Sequence, residues 1–177
     1  MPPNVAAELE RDIARLRLVI GQIKQIEEAR RQRLEEQPER EPHAMVRLLA
    51  RVVGIGIETA DMLVNEVLSR PLRDRRAVAR YAGLTGAPDE SGAKRREQVA
   101  KAGNARVRRG MIQLAWRFLR FQKNSALAQW YQARTADRRG ATRKTMIVAV
   151  ARKLLIALWR FVTIGEPLDG VTLRPAS

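Results

Sequence analysis

The sequence predicts an all-α protein, an N-terminal coiled-coil arm followed by a compact helical domain that contains a helix–hairpin–helix. Three observations carry this. Apolar residues recur at steps of three and four through the first stretch of the chain. Two glycines, Gly54 and Gly56, stand one residue apart between two short apolar-periodic segments. No stretch of useful length alternates with the period of a strand.

The arm runs from about Val5 to Glu36, within residues 1–37. Ala6, Leu9, Ile13, Leu16, Ile20 and Ile23 form the seam of a coiled coil, flanked by Glu and Arg, and Leu34 rejoins the register. Such a seam must be buried against another helix. A second copy of the chain is the favoured partner, with an intramolecular partner as the alternative. Residues 38–44 read as a linker, because Pro38 and Pro42 break the helix amid dense charge.

Residues 45–165 read as the compact domain. Met45–Val52 is the first helix of the hairpin and Thr59–Leu68 the second. Ser69-Arg70-Pro71 ends the pair, and Asp74 can cap a short helix through Tyr81. Gly83–Gly103 reads as a charged, glycine-bearing loop. Asn104 opens a helix to about Phe121, Ser125–Ala136 is another, and Asp137–Gly140 is a turn. Thr142–Ile164 is the longest apolar helix, stopped by Gly165-Glu166-Pro167. Residues 166–177 are expected to form a frayed, flexible tail. Most aromatics, including Trp116, Phe118, Trp130, Tyr131, Trp159 and Phe161, are expected in the core, because they fall among aliphatics on helices.

The 177 residues include 34 Lys+Arg against 19 Asp+Glu, a net charge of +15. Like charges repel in the compact state, so this excess points to a polyanionic partner, most simply nucleic acid. An inert basic surface is the alternative. There is no cysteine, which excludes disulfides and Cys-based zinc sites. The one histidine, His43, lies in the linker and is not expected to hold a metal or act as a base. Charges interrupt every apolar run before membrane-spanning length, and no apolar leader precedes the arm, so the expectation is a cytoplasmic protein without a membrane partner.

A helix–hairpin–helix uses its first glycine to reverse the chain and its second to bring backbone N–H groups to a phosphate. Gly54 and Gly56 have that spacing, with Thr59 where the second helix starts. Such a hairpin grips DNA without reading bases. A plain αα-hairpin, with glycines that only permit close packing, is the alternative. Downstream, Ser91 lies in a small-residue loop before Lys94, Arg95, Arg96, Lys101, Arg106, Arg108 and Arg109, with Gly103-Asn104 ahead of the last three. A serine hydroxyl can attack phosphorus while arginines stabilise the non-bridging oxygens. No histidine stands near as a base, and a Ser-Gly pair also serves as a simple turn. The residues alone leave Ser91 open between nucleophile and turn, and the cations open between catalysis and phosphate binding.

Taken in order, these motifs resemble the C-terminal transposase domain of the bridge-RNA-guided insertion-sequence recombinases, the IS116/IS110/IS902 transposase family. The matching residues are Val53-Gly54-Ile55-Gly56 with Thr59-Ala60, Tyr81-Ala82-Gly83-Leu84, Ser91-Gly92 with Lys94-Arg95-Arg96, and Lys101-Ala102-Gly103-Asn104 with Arg106, Arg108 and Arg109. The resemblance spans roughly Met45 to Ile164, and the arm fits it. It implies that Ser91 forms a covalent phosphoserine link to DNA during strand exchange, that the Lys94–Arg96 and Lys101–Arg109 clusters hold the scissile phosphate and strand, and that the hairpin binds flanking backbone. Asn104 and Thr59 are carried with those DNA-binding residues. It implies DNA and a guide RNA as partners. Val53 stands where the family usually has proline. The family's Mg²⁺ is held by four acids of a RuvC-like domain N-terminal to the arm. Such an acidic cluster is not found in this sequence, so no metal or cofactor is expected in the chain itself. The expectation is an incomplete recombinase, with a non-catalytic dimeric DNA-binding protein as the alternative and RNA binding as a third reading.

Overall fold

A computed structural model describes residues 3–38, 40–87, 98–99, 103–136 and 140–175. Among the described residues it is all-helical apart from one two-residue strand pair: a long N-terminal helix precedes a compact helical region. The chain divides into two units, Met1–His43 and Ala44–Ser177.

In the first unit, α1 (Pro3–Glu36) is one uninterrupted helix. Its charged positions pair one turn apart, Arg15 with Asp12 at 2.9 Å and Arg31 with Glu28 at 2.6 Å. Arg11 also meets Glu8. Pairs this exposed to solvent add little each to helix stability. The row Leu9, Ile13, Leu16, Ile20 and Ile23 is exposed along the helix.

In the second unit, α2 (His43–Ala50) starts directly after Pro42 and stops two residues before its expected end. Val52 pairs instead with Leu173 in an isolated antiparallel bridge, a competing partner that sequence periodicity does not show. The second hairpin helix, α3 (Ile57–Leu63), begins two residues earlier than expected because Gly56 itself takes the extended N-cap conformation. It continues as a π-helical turn over Val64–Leu68, closed by Ser69 N–H donating to the Val64 carbonyl. The wide turn keeps Val64, Val67 and Leu68 buried while Glu66 remains half-exposed.

Next come α4 (Arg75–Tyr81), β1 (Gly86–Ala87), β2 (Gln98–Val99), α5 (Ala105–Phe121), α6 (Ala126–Thr135) and α7 (Gly140–Ile164). Helix α7 is the centre of the unit and packs on α5, α6 and α4. Its buried face is Ile147, Val150, Ala151, Leu154, Leu155 and Leu158, the three-and-four spacing of a helix with one apolar side. Helix α5 answers with Val107, Met111, Leu114, Ala115 and Phe118.

The tail differs from expectation. Residues 167–175 run back over the hairpin rather than fraying. Ala126 N–H donates to Asp169 O at 3.2 Å, Val53 N–H to Thr172 O at 3.2 Å, and Arg174 N–H to Arg51 O at 2.6 Å. Backbone hydrogen bonds hold this segment, and they leave no apolar period to read. The aromatics also divide. Phe118 and Phe161 are buried as expected, but Trp116 is 47% exposed and Trp130, Tyr131 and Trp159 are half-buried. Trp116 and Tyr131 meet edge to face at 6.4 Å, a contact between rings at the rim rather than within the core.

Candidate nucleic-acid interface

The hairpin turn is built as the spacing requires at Gly54. Its φ of +98° is closed to residues with a Cβ, and an added Cβ would stand 3.3 Å from Phe121 Cβ. Gly54 therefore both reverses the chain and lets the turn lie against the end of α5. Gly56 is half-exposed and caps α3 without any side-chain hydrogen bond to the first turn. A Cβ there would meet only Glu58 Oε2, at 3.2 Å.

The carbonyls of the turn are satisfied from inside the protein. Gln122, buried at the end of α5, donates to Val53 O at 2.8 Å and to Thr172 O at 3.0 Å. Its Oε1 accepts from Thr172 N–H at 2.9 Å. Arg174 donates to Ile55 O at 3.1 Å and also reaches Ala50 O. Gln122 and Arg174 are thus the side chains that fix the hairpin. Neither stands near it in sequence, and nothing in the local pattern marks them.

Of the sequence-predicted site residues, Thr59 lies in the first turn of α3 and lines a groove of about 150 Å³ with Met62, Gln113 and Arg117. Gly110 makes the groove narrow, because an added Cβ would fall 2.5 Å from Met62 Cε. Asn104 has a structural task. Its Oδ1 accepts from Arg106 N–H and Val107 N–H at 3.0 and 3.2 Å, capping α5, while its Nδ2 donates to Glu66 Oε2 at 2.9 Å. Arg106 pairs with the same Glu66 at 3.2 Å. Arg108 is half-buried with a partner of its own. Arg109 is exposed, and its Nε leans on Ala105 O at 3.4 Å. Ser91, Lys94, Arg95, Arg96 and Lys101 lie outside the described residues.

What the fold brings together is wider than the predicted cluster. Arg106, Arg109, Gln113, Arg117 and Arg120 recur at three and four residues, all exposed, along one face of α5. At 1.5 Å per residue the row is about 21 Å long. Arg117 and Arg120 lie beyond the sequence-predicted cluster, which ended at Arg109; the helical spacing of the cations was the available signal. At the row's start, both ends of the Ser91-bearing segment are tied. Gly86 pairs with Val99 and Ala87 with Gln98. Leu84 N–H donates to Ala79 O at 2.9 Å, and Asn104 N–H donates to Tyr81 O at 2.7 Å. Gly103, at φ +111°, packs so closely on Gly83 and Tyr81 that a Cβ would fall 2.6 Å from Gly83 N.

The Asp74 carboxyl caps α4, accepting from the N–H groups of Arg76 and Ala77 at 2.8 Å each. The Ala77 N–H bond is the main cause that holds this carboxyl below the ordinary aspartate range.

The chain is similar to known proteins over most of its length. The family model described as "Transposase IS116/IS110/IS902 family" matches residues 46–132, from α2 into α6. The protein named "Putative transposase y4rJ" from Sinorhizobium fredii is 42% identical over 183 residues, covering 98% of this chain and 46% of that protein. The chain therefore spans about half the length of the curated relative it matches.

Proposed function

The chain belongs, through residues 46–132, to the IS116/IS110/IS902 transposase family, and from that premise we propose that it is the DNA-gripping domain of an insertion-sequence recombinase with Ser91 as nucleophile. The observation that carries this reading is the tied stem. The β1–β2 pair and the Asn104–Tyr81 bond fix both ends of the segment that bears Ser91, beside the first arginines of the α5 row. A nucleophile needs such anchored flanks, because its position relative to phosphorus decides the rate.

In the proposed step Ser91 Oγ attacks a DNA phosphorus. A P–O bond to serine forms as the P–O bond to a deoxyribose oxygen breaks. The proton lost by the serine hydroxyl is balanced by the one the departing deoxyribose oxygen gains. Lys94, Arg95, Arg96 and Lys101 stabilise charge on the non-bridging oxygens. Attack by another strand's hydroxyl reverses the chemistry and completes exchange. Arg109, Arg117 and Arg120 hold the neighbouring backbone, with the hairpin at the groove beyond them, and a guide RNA selects the sequence. Among the described residues no three acidic or histidine side chains gather as a metal-holding group. Among the described residues no helix is long and apolar enough to cross a membrane; the proposed place of action is the cytoplasm. The exposed apolar row of α1 pairs with a second copy, each strand burying what neither can bury alone.

A nicked suicide substrate, incubated with the chain, its RuvC-like counterpart and guide RNA, tests the reading. A covalent protein–DNA adduct that Ser91→Ala abolishes, with DNA affinity retained, is the expected result. Binding without any adduct refutes the catalytic assignment and leaves a non-catalytic dimeric DNA-binding protein.

A further inference from the structure

Away from the α5 arginine row lies a second, larger concavity. A cleft of about 820 Å³ opens between the start of α4, the start of α6, the middle of α7 and the returning tail. That volume is in the range of pockets that hold a small organic ligand. Its floor is apolar, with Phe118, Leu127, Ile156 and Val171, and Trp130 lies at its edge. Its rim is cationic. Arg75 and Arg76 come from α4, and Arg152, Lys153 and Arg160 from α7, against the single acid Asp169 among the described lining residues. Arg160 is engaged by Glu166 at 3.4 Å. Arg75 and Arg152 make no ion pair among the described residues and are exposed. Lys153 Nζ stands 4.8 Å and the Arg134 guanidinium 5.0 Å from the Trp130 ring centroid, so the aromatic and two cations are already juxtaposed.

An apolar floor under a cationic rim, with Arg75 and Arg152 exposed on it, fits a ligand with a flat apolar body and flanking negative charges. We infer that this cleft seats an unpaired nucleotide of a nucleic-acid strand, the base on the Leu127–Ile156 floor against the edge formed by Trp130 and the adjoining phosphates on Arg75, Arg76, Arg152 and Lys153. A duplex offers such a cleft only its phosphates, because its base faces are stacked against each other; an unpaired base supplies the apolar surface the floor needs. DNA and RNA share this chemistry. The site rests on neither Ser91 nor the hairpin, and it gives the chain a place for the single strand exposed when a duplex is opened.

The test uses the full 177-residue chain and fluorescence anisotropy with four probes: a short single-stranded DNA, the same sequence as RNA, its duplex, and a polyglutamate peptide as competitor. Arg75→Ala with Arg152→Ala changes two exposed side chains and leaves the fold intact, as a thermal melt verifies. This double variant is expected to lose about tenfold or more in affinity for the unpaired probes, with duplex affinity, carried by α5, little changed. Trp130→Leu is expected to weaken unpaired binding by about 5- to 100-fold. Stronger binding of the RNA or of the DNA identifies which strand is seated. Wild-type affinity of the double variant for both unpaired probes overturns the inference. So does unaltered binding of both unpaired probes by Trp130→Leu together with their displacement by the peptide, which assigns the cleft to an acidic protein segment. Loss of duplex affinity alone, with unpaired binding retained, overturns it equally.

Discussion

Gln122→Met is the sharpest probe of how the hairpin is held. Gln122 is 2% exposed and joins three segments: its own helix end, the turn at Val53, and the tail at Thr172. Methionine fills a similar volume but donates nothing. Thr172 O keeps its bond from Val53 N–H, so two backbone groups, Val53 O and Thr172 N–H, lose the partner Gln122 supplies. An unmet polar group costs about 1–3 kcal/mol when buried, and water can reach the exposed Thr172, so the sum is about 2–4 kcal/mol. With a urea slope near 2 kcal/mol per molar, the unfolding midpoint falls by about 1–2 M. Hydrogen exchange at the Thr172 amide should accelerate well beyond that at α7 amides. A midpoint shift below about 0.5 M, or unchanged Thr172 protection, refutes the claim that this side chain fastens tail to hairpin.

Four further outcomes are expected. Gly103→Ala forces a Cβ into the Gly83 backbone at a positive φ, and should cost about 2–4 kcal/mol and broaden the thermal transition measured by circular dichroism. Asn104→Ala removes the α5 cap and the Glu66 contact, and should lower stability by about 1–2 kcal/mol in denaturant titrations; retention of full stability contradicts its structural assignment. The Asp74 cap has a folded-state carboxyl below its ordinary value, so its contribution is complete above the unfolded pKa of about 3.9 and is lost as pH falls through the lowered folded value. Thermal melts between neutral and acidic pH should therefore show the wild type losing an advantage over Asp74→Ala only at the acidic end. Arg117→Ala and Arg120→Ala should each reduce the slope of log affinity against log salt for duplex DNA by about one. An unchanged slope removes them from the interface.

The helices were readable because their chemistry is local. Leu154, Leu155 and Leu158 announce a buried helix face by spacing alone, and Asp74 and Asn104 announce caps because a short oxygen-bearing side chain satisfies the N–H groups just after it. The pairing of Gly54 with Gly56 announced a turn, and the φ of Gly54 is the reason that position is glycine. The site was readable in part. The arginines up to Arg109 were found as a cluster, whereas the row through Arg120 required placing the cations on one helix face.

Other features depend on residues far apart in the chain. Gly110 faces Met62, Glu66 meets Asn104 and Arg106, and Gln122 meets Val53 and Thr172. The tail docks through main-chain donors and acceptors that every residue carries, so its composition reads as loose while its backbone is fastened. The cleft between α4, α6, α7 and the tail exists only because four separated segments converge. By itself the sequence determined the helical class, the basic surface and the glycine turn, because periodicity, charge and backbone sterics act over neighbouring residues. Tertiary structure alone decided where α2 ends, what fixes the turn and which cations line a common surface, because those depend on partners that only folding brings within hydrogen-bond reach.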